Sequence, residues 1–157
     1  MIFVTLGSQK FPFDRLLQEL DRLIVAGSIT QPVFAQTGYS TYAPKHFTAQ
    51  AFLDRDGFAT KMQEADLVIT HAGTGAIIGA VKAGKKVIAV PRLPQYGEHV
   101  DDHQTQIIDQ FNDMDLILGL SDVAQLEAAL SEIPHRQFQS YVSNTHTIIA
   151  DIEGFLG

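Results

Sequence analysis

Hydrophobic positions along this chain repeat with two periods that take turns. Ile2 to Leu6 is an unbroken apolar or β-branched run stopped by Gly7-Ser8, the mark of a strand buried on both faces. Over residues 13–24 the apolar side chains fall at Phe13, Leu16, Leu17, Leu20, Leu23 and Ile24, which is the stripe of an amphipathic helix. Pro12 suits the first turn of that helix and Gly27 its end. The same reading predicts a strand over 33–36, an extended stretch over 47–52 and a short helix over 57–64. A strand over 66–70, a turn over 71–75 and a helix over 76–83 closed by Gly84 follow. A strand over 86–90 stopped by Pro91 then leads through a polar loop, 92–100, into a helix near 101–111. The last elements are a strand over 115–118 and helices over 122–131 and about 135–155.

Strand and helix alternate throughout, so consecutive strands are expected to be parallel, with right-handed crossovers. The expected fold is a doubly wound, mainly parallel α/β sheet of Rossmann-like type. In such folds a ligand sits beyond the carboxyl ends of the strands. The loops at 7–12, 71–75 and 91–103 all follow strands and are expected to share that edge.

Composition narrows the classes of function. A length of 157 residues fits one domain, taken here as 1–157. There are no cysteines, which excludes disulfides and thiolate metal sites and is compatible with a reducing cytosol. No apolar run reaches the ~18–20 residues that span a bilayer, and Met1 to Leu6 lacks the basic start of a signal peptide. The expected location is cytoplasmic. The net charge of −7 argues against nucleic acid, which needs a basic footprint. It does not argue against a small phosphorylated ligand, which backbone N–H groups at helix starts can hold.

Four places carry candidate chemistry. Gly7-Ser8 joins a strand to a helix; glycine admits a phosphate close to the backbone and the Ser8 hydroxyl can donate to it. His71-Ala72-Gly73-Thr74-Gly75 is a small-residue turn that would bring a diphosphate to a helix start, where free amides and the dipole favour an anion. It is neither a GxGxxG nor a P-loop, and it also reads as a tight turn with Thr74 as cap. Glu98-His99-Val100-Asp101-Asp102-His103-Gln104 is the densest polar cluster. It reads as sugar or phosphate contacts, as an acidic helix start, or as a metal site built from His99 and His103 on one helical face. Arg92 can pair with phosphate or serve as an ordinary ion-pair partner. Tyr39 and Tyr42 can stack on a base or pack as loop tyrosines.

At these residues the sequence resembles the carboxyl-terminal domain of glycosyltransferase family 28. The matching text runs Ile2-Phe3-Val4-Thr5-Leu6-Gly7-Ser8-Gln9, Pro12-Phe13-Asp14-Arg15-Leu16 and Ala65-Asp66-Leu67-Val68-Ile69-Thr70-His71-Ala72-Gly73-Thr74-Gly75. It continues with Gly84-Lys85-Lys86, Val90-Pro91-Arg92, Gly97-Glu98-His99 and Asp102-His103-Gln104. Within the family it is similar to small bacterial polysaccharide-biosynthesis proteins related to the donor-binding subunit of a two-subunit UDP-N-acetylglucosamine transferase. The resemblance implies the UDP-sugar-binding half of a GT-B enzyme. Gly7-Ser8 would then touch the diphosphate, the 71–75 turn the diphosphate and ribose, and His103-Gln104 the sugar. Relatives that make lipid-linked cell-wall precursors carry a ribose-binding acid where this chain has Gly79.

An inverting transfer needs a base on the acceptor hydroxyl and stabilisation of the leaving diphosphate. The chain offers the second through helix-start amides and Arg92. For the first it offers only His71, His99 and His103 as reserve candidates; the resemblance assigns the base to the acceptor half. Neither a metal nor a further cofactor is expected. The expected partner is an acceptor-binding, membrane-associated subunit that recruits the chain to the inner face of a membrane, met through exposed apolar residues such as Phe11, Phe13, Leu93 and Tyr96. Alone, the chain is expected to be able to self-associate. A non-catalytic accessory protein that enhances or stabilises a partner transferase is the alternative, favoured by Gly79.

Overall fold

The computed structural model describes residues 1–7, 12–92 and 103–139. Six strands are joined in one sheet: β1 (Ile2–Thr5), β2 (Val33–Gln36), β3 (Thr48–Gln50), β4 (Leu67–Thr70), β5 (Lys86–Ala89) and β6 (Leu118–Gly119). Their order is β3-β2-β1-β4-β5-β6, and every pairing is parallel. Five helices connect and cover them: α1 (Asp14–Val25), α2 (Arg55–Glu64), α3 (Thr74–Lys82), α4 (His103–Asp113) and α5 (Leu126–Glu132). This is the doubly wound α/β arrangement that the alternation of periods predicts.

The pleat explains why these runs are apolar at every position. In β1, Ile2 and Val4 enter one core with α1 and α5, among Leu16, Leu20, Val123 and Leu126. Phe3 enters the other, with Met62, Ile77, Ala80, Ile108 and Phe111 from α2, α3 and α4. A strand covered on both faces needs hydrophobic side chains on both, so the alternation of a half-exposed strand is lost.

Several expected boundaries move, each for a local reason. α1 begins at Asp14, and Phe13 caps it without a side-chain bond. Pro12 therefore precedes the helix instead of occupying its first turn, because its carbonyl is held by Arg92 and the Phe13 amide by Ser40 Oγ. α3 begins at Thr74, so Thr74 and Gly75 belong to its first turn and Gly73 is the cap. The last strand is 118–119 and not 115–118. Asp115 turns the chain with φ of 58°, and Leu116 and Ile117 are buried beyond it. The helix expected from 135 does not start there: Ile133–His135 is a 3-10 turn containing Pro134, and Arg136 is extended. The rest of that expected helix, 140–155, falls outside the described residues.

Two acids on one face of α1 hold the loop after β2. Asp14 accepts from the amide and hydroxyl of Thr41, both at 2.7 Å, and from the Tyr42 amide at 2.8 Å. One helical repeat of seven on, the Asp21 carboxylate is buried and accepts from the Tyr42 hydroxyl at 2.5 Å and the amides of Lys45 and His46 at 2.9 Å. Burial pushes this carboxyl up. The Tyr42 hydroxyl, the two amides and the charge of His46 outweigh it and hold the group below its usual value. A depressed carboxyl stabilises the fold above its unfolded value, and that stability disappears as the pH falls through the folded one. Asp21→Asn is therefore expected to cost about 1–3 kcal/mol near neutral pH. In urea unfolding, its gap from the wild type should close below the ordinary carboxylate range. A gap equal at pH 7 and pH 3 would contradict the assignment.

Candidate functional site

All six strands end at the carboxyl edge of the sheet, and described residues follow each of them there. The ladder extends one step past the strands there: Leu6 N–H donates to Gln36 O at 3.0 Å, Val90 N–H to Thr70 O at 2.9 Å and His71 N–H to Thr5 O at 3.4 Å. On the β3 side, Thr37 and Gly38 donate to Gln50 O and Ala51 O at 3.0 and 2.8 Å. Gly7, Gly38 and the 71–75 turn are thereby drawn together, as the shared-edge expectation requires of the first two of its loops; residues 8–11 and 93–102 of the expected cluster lie outside the described residues.

Glycine is required at two of these turns. Gly7 has φ of 73° and Gly38 of 57°, a region that side chains seldom adopt. A Cβ on Gly38 would also stand 2.8 Å from the Gly7 carbonyl oxygen. Gly75 differs: a Cβ there would meet nothing within 4 Å.

α3 supplies the electrostatics. Its first helix bond is Ile77 N–H to Gly73 O at 3.0 Å, so the amides of Thr74, Gly75 and Ala76 have no intrahelical acceptor. Gly73 has no side chain to cap the turn, and no side chain among the described residues accepts from these amides. Thr74 is not the cap that the plain-turn reading requires, and the positive dipole end of α3 lies at an exposed Gly75. Ala72 turns its methyl into the core and can offer only backbone.

His71 and Arg92 are both buried, at 4% and 1% exposure. The His71 ring fits between Gly7 and Gly73, with Nε2 2.5 Å from where a Gly7 Cβ would stand. That placement is poor for a base that must reach an acceptor hydroxyl. The Arg92 guanidinium donates through Nη2 to Leu6 O at 2.8 Å and through Nε to Pro12 O at 3.3 Å, and stacks 5.4 Å over the Phe13 ring. It braces the chain on either side of 8–11 from beneath, rather than standing open to solvent.

The other expected residues divide. His103 and Gln104 open α4, which begins at the same edge because it follows β5; their side chains, and Ser8, Glu98 and His99, fall outside the described residues. Phe13 is fully buried and cannot belong to an exposed partner surface; it serves as the platform under Arg92. Phe11, Leu93 and Tyr96 fall outside the described residues. Tyr42 spends its hydroxyl on Asp21, whereas Tyr39 is 53% exposed. Its edge-to-face partner at 5.3 Å is Phe52, 44% exposed, which the sequence places only at the end of an extended stretch and not among the candidate site residues. The available signal was its position two residues after β3, at the carboxyl edge. Gln36 was also missed: its buried Oε1 has no hydrogen-bond partner among the described residues. Gly79 is exposed in a groove of about 330 Å³ with Phe58, Ala59 and Met62, on the outer side of α3. A cleft of about 370 Å³ beside Ile2, Asp66 and Lys86 opens at the opposite edge of the sheet, and its Lys86 ammonium is taken by the Ile133 and Pro134 carbonyls.

Comparison with known proteins gives the family and the fold. Residues 1–151 match the glycosyltransferase family 28 C-terminal domain. The chain is similar to the UDP-N-acetylglucosamine transferase subunit ALG13 of Mus musculus, 33% identical over 101 residues, covering 56% of this chain and 8% of that protein. The ALG13 subunits of Candida glabrata and Kluyveromyces lactis are 34% and 42% identical over 83 and 82 residues, covering 52% of this chain each and 40% and 39% of those proteins. Each match thus spans less than half of the relative. These relatives come from a mammal and two yeasts and do not support the bacterial polysaccharide-biosynthesis type. Among solved structures, the glycotransferase of kitacinnamycin aligns over 99% of this chain and 38% of its own with a TM-score of 0.63 at 16% identity. MurG of Acinetobacter baumannii aligns over 98% and 49% with 0.61 at 21%. Identities this low speak to the fold alone.

Because Arg92 satisfies two buried carbonyls, Arg92→Ala is expected to lower the unfolding free energy by about 2–3 kcal/mol. Arg92→Lys should recover less than half of that, since an ammonium lacks the planar fork. Urea denaturation of both variants tests this; an Arg92→Ala loss under about 0.5 kcal/mol, the size of an ordinary surface change, would refute the bracing role.

Proposed function

The chain belongs to the glycosyltransferase family 28 C-terminal domain family, and from that premise we propose that it is the donor-binding half of a glycosyltransferase, taking a UDP-sugar at the carboxyl edge of its sheet. The observation that carries this reading is the start of α3 beside Gly7, which no side chain among the described residues caps. Free amides and a positive dipole end suit a diphosphate, and they favour it most when it leaves with its developing charge. The exposed Tyr39–Phe52 pair at the same edge offers aromatic surface for the base. Ser8, Thr74, Glu98, His103 and Gln104 remain proposed donor contacts. Arg92 acts in this reading by fixing the chain around Ser8. UDP as the nucleotide rests on the names of the ALG13 relatives.

The acceptor hydroxyl still needs a base. With His71 buried between glycines, His103 at the start of α4 and the sequence-expected His99 stay as candidates, and a second half bearing the acceptor is the better source. That half is proposed to be a membrane-associated partner acting on a lipid-linked acceptor in glycan biosynthesis. No helix among the described residues is long and apolar enough to cross a membrane, so a cytoplasmic chain recruited to the membrane's inner face would rely on that partner. No cofactor or metal beyond the UDP-sugar itself is proposed. The second reading, an accessory protein that stabilises a partner transferase, is favoured by Gly79, which puts no acid near the ribose. An accessory chain would bind no UDP.

Gly75→Leu is the direct test. The site has open space for the side chain, and replacing a helical glycine should, if anything, stabilise the fold by about 0.5–1 kcal/mol. The leucine should nevertheless cover the amides and abolish calorimetric binding of UDP and UDP-sugars. Unchanged affinity in a folded Gly75→Leu protein would remove the site from α3. Sugar transfer to a lipid-linked acceptor is expected only when the acceptor-binding half is added to the reaction; a substantial rate from this chain alone would require a complete active site within it.

A further inference from the structure

One edge of the His71 ring faces glycines on two different turns. A Cβ on Gly7 would stand 2.5 Å from Nε2 and 2.9 Å from Cε1, and a Cβ on Gly73 would stand 2.6 Å from Nε2 and nearer still to Cε1. The ring is 4% exposed, so packing fixes its place. Its backbone is set as well, through the His71 N–H on Thr5 O at the end of β1. On the far side of Gly7, Gly38 approaches so closely that a Cβ would stand 2.8 Å from the Gly7 carbonyl oxygen. The turns after β2, β1 and β4 are therefore stacked in series, and the imidazole is the side chain between the last two. Gly73 has φ of −68°, which any residue adopts, so glycine is needed there only because the ring is present.

We propose that His71 is a positioning residue whose ring acts as the spacer between the Gly7 turn and the start of α3, so that both engage one diphosphate as a unit. This rests on the donor-binding reading and adds a division of labour to it: amides hold the phosphates while the imidazole sets their separation. Removing the ring lets the two turns settle independently. Adding a methyl at Gly73 drives the ring against Gly7. Done together, the methyl enters space the ring has left, so the two changes offset each other.

A double-mutant cycle of wild type, His71→Ala, Gly73→Ala and the double variant tests this, with UDP affinity read by calorimetry and stability by urea unfolding. Each single change is expected to weaken UDP binding by about tenfold or more, and the double variant to bind no more weakly than the poorer single, a coupling within the range seen for residues in contact. Losses that multiply in the double variant would overturn the proposal. So would coupling in stability with none in affinity, which would make His71 structural only. If the wild type binds neither UDP nor UDP-sugars, the donor-binding reading fails separately. The diphosphate-spacing role falls with it, and additive losses in the unfolding cycle would remove the ring–glycine contact as well.

Discussion

The structure depends on how closely bare backbone can approach bare backbone at one edge of the sheet. Parallel strands end together, so the turns that leave them crowd into the same space. Gly38 against the Gly7 carbonyl, Gly7 against His71 and His71 against Gly73 form one continuous contact across β2, β1 and β4. Extra carbons have no room along this line, and among the described residues two flat groups are admitted. The His71 imidazole fits between glycines, and the Arg92 guanidinium slides under the Gly7 turn on the Phe13 ring. Both are polar residues recruited into packing, which is why neither behaves as an open, solvated side chain.

Farther from the edge the same economy recurs with carboxylates. Asp14 and Asp21 use acceptor-only side chains to collect the backbone donors of a loop that has no sheet partner of its own. Asp122, paired with Arg15, ties the start of α1 to the turn before α5. Burial pushes the Asp122 carboxyl up, but the Arg15 hydrogen bond and charge, with two amides, hold it below its usual value. Part of the negative charge is thus spent on holding loops to helices.

Much of this was legible in the sequence. Strands buried on both faces and an amphipathic α1 announce themselves through period, and the parallel order follows from their alternation with helices. The carboxyl-edge cluster follows from topology alone. What stayed hidden depends on tertiary contact. Nothing in the local text of Val90-Pro91-Arg92 says that the guanidinium finds the carbonyls of Leu6 and Pro12, some eighty residues away in sequence. Nor does His71 beside Ala72 disclose that the ring faces Gly7. Phe13 reads equally as core or as surface, because the period places it on the helix stripe without saying how far the loop wraps over it. The 115–118 strand was misplaced because buried apolar residues in a tight turn, Leu116 and Ile117, have the same composition as a strand.

The glycines of the edge fall into two kinds, and the difference bears on how such a domain can diversify. Gly7, Gly38 and Gly73 are walled in by their neighbours, whereas Gly75 and Gly79 look onto empty space from ordinary helical positions. Changes at the first three must be accommodated by the fold itself. Changes at the other two reach only whatever approaches α3 from outside. In the donor-binding reading, ligand preference would therefore drift through single substitutions along one exposed helix face while the scaffold stays constant.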